Sequence, residues 1–118
     1  MILRRKYGNR RVERDGYVFD SAKEAEQYGL LRLREKAGEI ARLRVHPHYS
    51  LVVDGLKIGI YTPDFDYLQL TPDGRHLACV VEDVKPFDAK TGKFRLTEGY
   101  RLRKKLMKAL YGIDVREV

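Results

Sequence analysis

Two extended segments joined by a short turn restrict this chain more than any other feature. Residues 61–70 and 77–85 flank Thr71-Pro72-Asp73-Gly74, and the second segment carries Leu77, Val80, Val81 and Val84. Proline followed two positions later by glycine is strong turn punctuation, so the flanks are predicted to be neighbouring strands of one hairpin. Side chains two apart in a strand point the same way. Asp64 and Asp66 therefore fall on one face of their strand, with Phe65 and Tyr67 on the other, and Asp83 shares a face with Lys85. Two carboxylate-bearing faces can then converge beside a lysine, a set of groups able to hold a divalent metal and cut a phosphodiester. Glu82 is expected to point away from Asp83. A second Asp-x-Lys triplet, Asp88-Ala89-Lys90, lies between Pro86 and Gly92 and reads as loop.

The rest of the pattern surrounds this hairpin with a small α/β domain. Residues 12–19 read as an extended stretch around the Asp15-Gly16 turn. Ser21 with Glu24 three positions later is a capping-box signature and opens a helix that runs to Lys36, with Gly38 as its stop. Residues 40–45 and 49–53 are predicted strands, separated by His46-Pro47-His48, and 56–60 lead into the Asp64 strand. Residues 85–92 read as loop and 94–111 as a second helix, with Leu96, Tyr100, Arg103, Met107 and Leu110 at helical spacing and Gly112 beyond its end. Residues 113–118 alternate like a closing strand. His46 and His48 read as strand-edge residues with no third nitrogen or sulfur ligand in sight, and His76 as turn surface. Cys79, the sole cysteine, reads as a small core residue and rules out an internal disulfide.

At 118 residues the chain suits one domain, preceded by a basic arm over about residues 1–12. Its 24 Lys and Arg against 17 Asp and Glu give a formal net charge of +7, which points to a polyanion partner, most simply nucleic acid. Arg4, Arg5, Lys6, Arg10 and Arg11, with Tyr7 among them, form one basic patch; Arg101, Arg103, Lys104, Lys105 and Lys108 form another. From these, Arg4, Arg5, Lys6, Tyr7, Arg10, Arg11, Lys104, Lys105 and Lys108 are the expected DNA contacts. Membrane surfaces are the weaker alternative to nucleic acid; no apolar run is long enough to span a bilayer, no membrane partner is expected, and the single cysteine fits a reducing compartment.

Pro63-Asp64 followed by Asp83-Val84-Lys85, with an acidic helix before them, resembles the PD-(D/E)XK nuclease superfamily. Lys6-Tyr7-Gly8-Asn9-Arg10, residues 16–21, Ala37-Gly38-Glu39-Ile40 and Glu82-Asp83-Val84-Lys85 look like a family of small phage-encoded endonuclease-like proteins. The likeness covers nearly the whole chain. It implies a restriction-endonuclease-like core, a central mixed β-sheet flanked by two main helices. It also implies Asp64 and Asp83 as metal-binding carboxylates, Lys85 as the catalytic lysine, and Glu24 as the acid from the first helix, with Glu26 as the alternative. Members of this architecture are similar to archaeal-type Holliday junction resolvases, which implies a two-fold homodimer acting on four-way DNA junctions in the cytoplasm of a phage host. The 19-residue step from Asp64 to Asp83 is longer than in compact members of the superfamily, and a longer hairpin accommodates it.

The chemistry expected of such a site follows from its groups. Hard oxygen donors suit Mg²⁺ or Mn²⁺, which neutralises phosphate charge and helps ionise water. Asp64, Asp83 and the backbone carbonyl of Val84 are the expected ligands. Lys85 would orient the attacking water and stabilise the extra charge of the transition state. The competing expectations are a DNA-binding module without catalysis and a nuclease-like subunit of a recombination or transposition complex.

Overall fold

The computed structural model describes residues 10–118. The expected arm residues Arg4, Arg5, Lys6 and Tyr7 lie outside the described residues. Strands β1 (Val12–Arg14) and β2 (Tyr17–Phe19) pair across Asp15-Gly16. Both turn residues have positive φ, 53° and 83°, the type I′ geometry whose twist matches that of the strands it joins. Helix α1 (Ala22–Lys36) begins where the Ser21 hydroxyl accepts the Glu24 N–H, as the capping signature predicts. The Glu24 carboxylate closes back on the N–H of Asp20 rather than that of Ser21.

Strands β3 (Ile40–Val45), β4 (Tyr49–Val53), β5 (Leu56–Tyr61), β6 (Phe65–Leu70) and β7 (His76–Asp83) follow. The short pair β8 (Phe87–Asp88) and β9 (Lys93–Phe94), helix α2 (Glu98–Tyr111) and β10 (Arg116–Glu117) complete the chain. The central sheet has the order β10-β7-β6-β3, with β10 parallel to β7 and the other pairs antiparallel, so the architecture is α/β with a mixed sheet and two helices.

Each face of that sheet has its own core. Phe65 and Tyr67 of β6 point toward α1 and pack with Phe19, Tyr28, Leu31 and Ile40. Val81 of β7 points the other way, into a cluster with Leu51 and Tyr61 of the β4–β5 ribbon, Tyr100 and Met107 of α2, and Val115. This alternation carries Asp66 to the Val81 side, where it is buried and accepts hydrogen bonds from Arg44 and from Tyr49 Oη at 2.6 Å. Glu82 goes to the α1 side, 2% exposed, and accepts from Gln27 and Tyr67.

Four expectations are corrected here. Residues 61–70 are not one strand: Tyr61 ends β5 opposite Tyr49, and Pro63, which has no N–H to give a ladder, separates it from β6. The second helix starts at Glu98 rather than at residue 94. Phe94 instead pairs with Phe87, their rings 5.2 Å apart, and the Thr97 hydroxyl caps the helix by accepting the Tyr100 N–H. The outer part of β7 is not buried, with Leu77 65% exposed and Cys79 on the surface, because the layers that cover Val81 do not reach that far along the hairpin. The closing strand is limited to Arg116–Glu117. The second helix ends as expected, at Gly112 with φ 69°, where only a left-handed residue lets the cap N–H reach back to the last turn. Among the described residues no helix is long and apolar enough to cross a membrane.

Candidate active site

The hairpin register decides how the acidic residues meet. Phe65 stands opposite Glu82, so the next position along each strand sets Asp64 against Asp83 at the open end of the β6–β7 hairpin. The backbone of β7 is held there from its other side. Val118 N–H donates to Asp83 O and Lys85 N–H donates to Val118 O, both at 3.0 Å. The N–H and C=O of a residue in an extended chain point to the same edge. Val84 consequently directs its backbone toward Asp64, and its N–H donates to Asp64 Oδ2 at 2.7 Å.

Asp83 is 6% exposed and accepts from Tyr61 Oη at 2.6 Å. Lys85 Nζ lies 3.6 Å from Asp83 Oδ2 and 4.1 Å from the centre of the Tyr100 ring. An ammonium over an aromatic face is held electrostatically, so the position of Lys85 is fixed from two sides. Lys23 Nζ donates to Lys85 O at 2.6 Å and ties α1 to this strand end. The alternation read from the sequence thus places Asp64, Asp83 and Lys85 together, while Glu82 and Asp66 lie elsewhere.

Glu24 comes from the first turn of α1, 4% exposed, whereas Glu26 is exposed on the outer side of the helix. Glu24 Oε1 is 2.7 Å from His46 Nε2, and His46 N–H donates to Asp64 O at 2.9 Å. Donor atoms of Glu24, His46 and Asp64 all lie within 4.8 Å of one another. This corrects the strand-edge reading of His46. Its oxygen neighbours lie 22 and 18 positions away in the chain, and no local spacing announces them. His48 stays apart, with Nδ1 2.9 Å from the Thr62 hydroxyl.

Glu24, Asp64, Asp83, Val84 and Lys85 line a cleft of about 660 Å³, bounded also by Tyr61, Thr62, Tyr100 and Arg103. The carboxylates strain against one another. Burial, a hydrogen bond with Asp83 and the charges of Asp83 and Glu24 push the Asp64 carboxyl up to about 9, against the Val84 N–H, which pulls it down. Glu24, by its hydrogen bond, raises His46 above the usual imidazole range. A crowded carboxyl that resists ionisation, as Asp64 does, is relieved by a cation, and a donor set of carboxylate oxygens fits a divalent one.

The expected DNA contacts are distributed unevenly. Lys104 Nζ donates to Glu117 at 2.7 Å and Lys108 Nζ to Asp114 at 3.0 Å, while Lys105 is exposed. Arg10 is exposed, and Arg11 lies 4.0 Å from Asp20. Arg103, Tyr61 and Tyr100 are part of the cleft, although none was among the site residues expected from sequence. For Arg103 a signal existed: it falls one helical turn after Tyr100, on the same face.

In comparison with known proteins, residues 4–117 match the model of the family described as "Protein of unknown function (DUF1064)". Searches of the curated proteins and of the solved structures gave no match.

Proposed function

We propose that this chain, which belongs to the DUF1064 family, is a metal-dependent endonuclease of the PD-(D/E)XK type that acts on branched DNA. The observation that carries the reading is the meeting of Asp64, Asp83 and Lys85 in one cleft, with Lys85 Nζ 3.6 Å from Asp83 Oδ2 and the Val84 backbone turned toward Asp64. A DNA-binding module without catalysis has no need to set a buried acid and a half-buried one against each other in a basic protein.

In this reading Asp64, Asp83 and the carbonyl of Val84 hold Mg²⁺ or Mn²⁺, which when bound offsets phosphate charge and lowers the pKa of water. The protein's own groups do the rest. Lys85, fixed between Asp83 and the Tyr100 ring, sits where negative charge grows on the phosphoryl oxygens and orients the water that attacks in line. Tyr61 holds Asp83 in place through its hydroxyl. Arg103 at the rim and exposed Lys105 on α2 attract the phosphate backbone toward the cleft.

The proposed substrate is the four-way junction, and the proposed assembly a homodimer, because two symmetric incisions call for two equivalent sites. Purified protein assayed on fixed four-way junctions, flaps and plain duplex, with Mg²⁺ or with EDTA, tests this. Paired symmetric nicks on the junction, lost in EDTA, are expected; absence of cutting on every substrate would overturn the catalytic reading.

A further inference from the structure

We propose that His46 is a ligand of the same divalent ion, which makes the centre a mixed nitrogen and oxygen site that favours first-row transition ions such as Mn²⁺ over Mg²⁺. This rests on the reading that the Asp64–Asp83 cleft holds a cation, and adds to it a residue and a metal preference.

The backbone supplies the first reason. His46 has φ 52°, a left-handed conformation that non-glycine residues seldom adopt. It follows directly on β3, where a regular strand would have carried the side chain away along the sheet. The left-handed turn is held by the His46 N–H to Asp64 O, so the same residue that supplies a carboxylate also fixes the histidine backbone. Such conformations cost about 1–3 kcal/mol and persist where the surroundings impose them.

Side-chain geometry supplies the second. The imidazole lies beside the Phe19 ring, centroids 5.9 Å apart, and presents Nε2 to Glu24 Oε1 at 2.7 Å. Asp64 places an oxygen within the same 4.8 Å cluster. An octahedral ion with bonds of roughly 2.1 Å sets adjacent donors about 3.0 Å apart and opposite donors about 4.2 Å apart. Three donors inside 4.8 Å can therefore enter one coordination shell with side-chain adjustments of about an ångström or less. The remaining oxygen of Glu24 is occupied by the Asp20 N–H, which leaves Oε1 as the atom aimed at this cluster.

A histidine serving only as counter-ion to Glu24 would need no Asp64 oxygen within the same 4.8 Å cluster. The nitrogen donor also bears on which ion is preferred. Mg²⁺ keeps to oxygen ligands and retains its waters, whereas imidazole is a good ligand for first-row transition ions.

Tag-free full-length protein loaded with Mn²⁺ and examined by pulsed electron paramagnetic resonance tests the assignment without depending on cleavage. Wild type is expected to show ¹⁴N modulation from a directly bound imidazole, and His46→Gln, whose amide can still donate to Glu24, is expected to lose it. The same substitution should weaken Mn²⁺ binding by about 10-fold or more and Mg²⁺ binding by less than about 3-fold. Mn²⁺ bound without ¹⁴N modulation in wild type, with binding abolished by Asp64→Asn, would overturn the role of His46 and leave the cation site standing. No Mn²⁺ binding at all would overturn both. Modulation that persists unchanged in a folded His46→Gln protein would assign the nitrogen to another histidine and also defeat the proposal.

Discussion

Asp64 and Asp83 face each other one register position beyond the Phe65–Glu82 pair, and burial, with the hydrogen bond and charge of Asp83 added to it, holds the Asp64 proton far above the ordinary carboxylate range, to about 9. The sign of the consequence is fixed. Between the ordinary aspartate value of 3.8 and about 9, the folded chain keeps a proton that the unfolded chain has released. The associated stability is fully present below the lower value and is lost as pH rises through the upper one. Metal-free protein is expected to show a melting temperature, relative to that of Asp64→Asn, that declines from pH 5 to pH 9. Added Mn²⁺ or Mg²⁺ should raise the melting temperature more at pH 8.5 than at pH 6, because binding needs the ionised acid. Thermal unfolding across this range checks both; an identical pH slope in Asp64→Asn would refute the first.

Tyr61 and Asp83 provide a separate check on the burial of the site. Tyr61→Phe keeps the ring and removes the hydroxyl that donates to Asp83 Oδ2, so a buried carboxylate loses one donor. The expected loss of stability is about 2 kcal/mol in the metal-free protein, and less when a divalent ion is present. Denaturant melts of the two proteins, each with and without cation, measure the difference.

The two halves of β7 should respond differently to substitution. Val81→Ala opens a cavity under the ribbon and α2 at a fully buried position and is expected to cost about 2 kcal/mol. Cys79→Ser, on the exposed outer half, should stay within about 0.5 kcal/mol of wild type. Chemical denaturation of both variants tests the partition.

Phosphate binding should follow which cations are already paired. Lys104 and Lys108 spend their charge on Glu117 and Asp114, whereas Lys105 is exposed and Arg103 lines the cleft. Substituting Lys105 or Arg103 by alanine is expected to reduce the slope of log K against log salt by about one each, and substituting Lys104 or Lys108 by clearly less. Salt-dependent binding of labelled junction DNA to each variant gives these slopes.

What could be read in advance follows the range of the interactions involved. Ser21, Gly112 and the Asp15-Gly16 turn act through residues a few positions away, and these elements fall where their local chemistry puts them. Alternation along 80–85 was enough to separate Glu82 from Asp83 and Lys85. It could not give the exposure of Leu77 and Cys79, which depends on how far the second layer extends over the sheet. Nor could it give the short β8–β9 pair, where Phe87 and Phe94 hold a segment that helical periodicity alone assigns to α2. His46 is the clearest limit. Its place beside Glu24 and Asp64 is created by a left-handed backbone and two partners from separate elements, none of which leaves a mark in adjacent residues.

Single-turnover cleavage of an end-labelled four-way junction by wild type, Asp83→Asn and Lys85→Ala tests the central claim most directly. Wild type with Mg²⁺ or Mn²⁺ is expected to cut at symmetric positions, Asp83→Asn to lose detectable cutting, and Lys85→Ala to fall by about 10²–10³-fold, each variant remaining folded. Cutting by Asp83→Asn and Lys85→Ala at the wild-type rate would contradict the account.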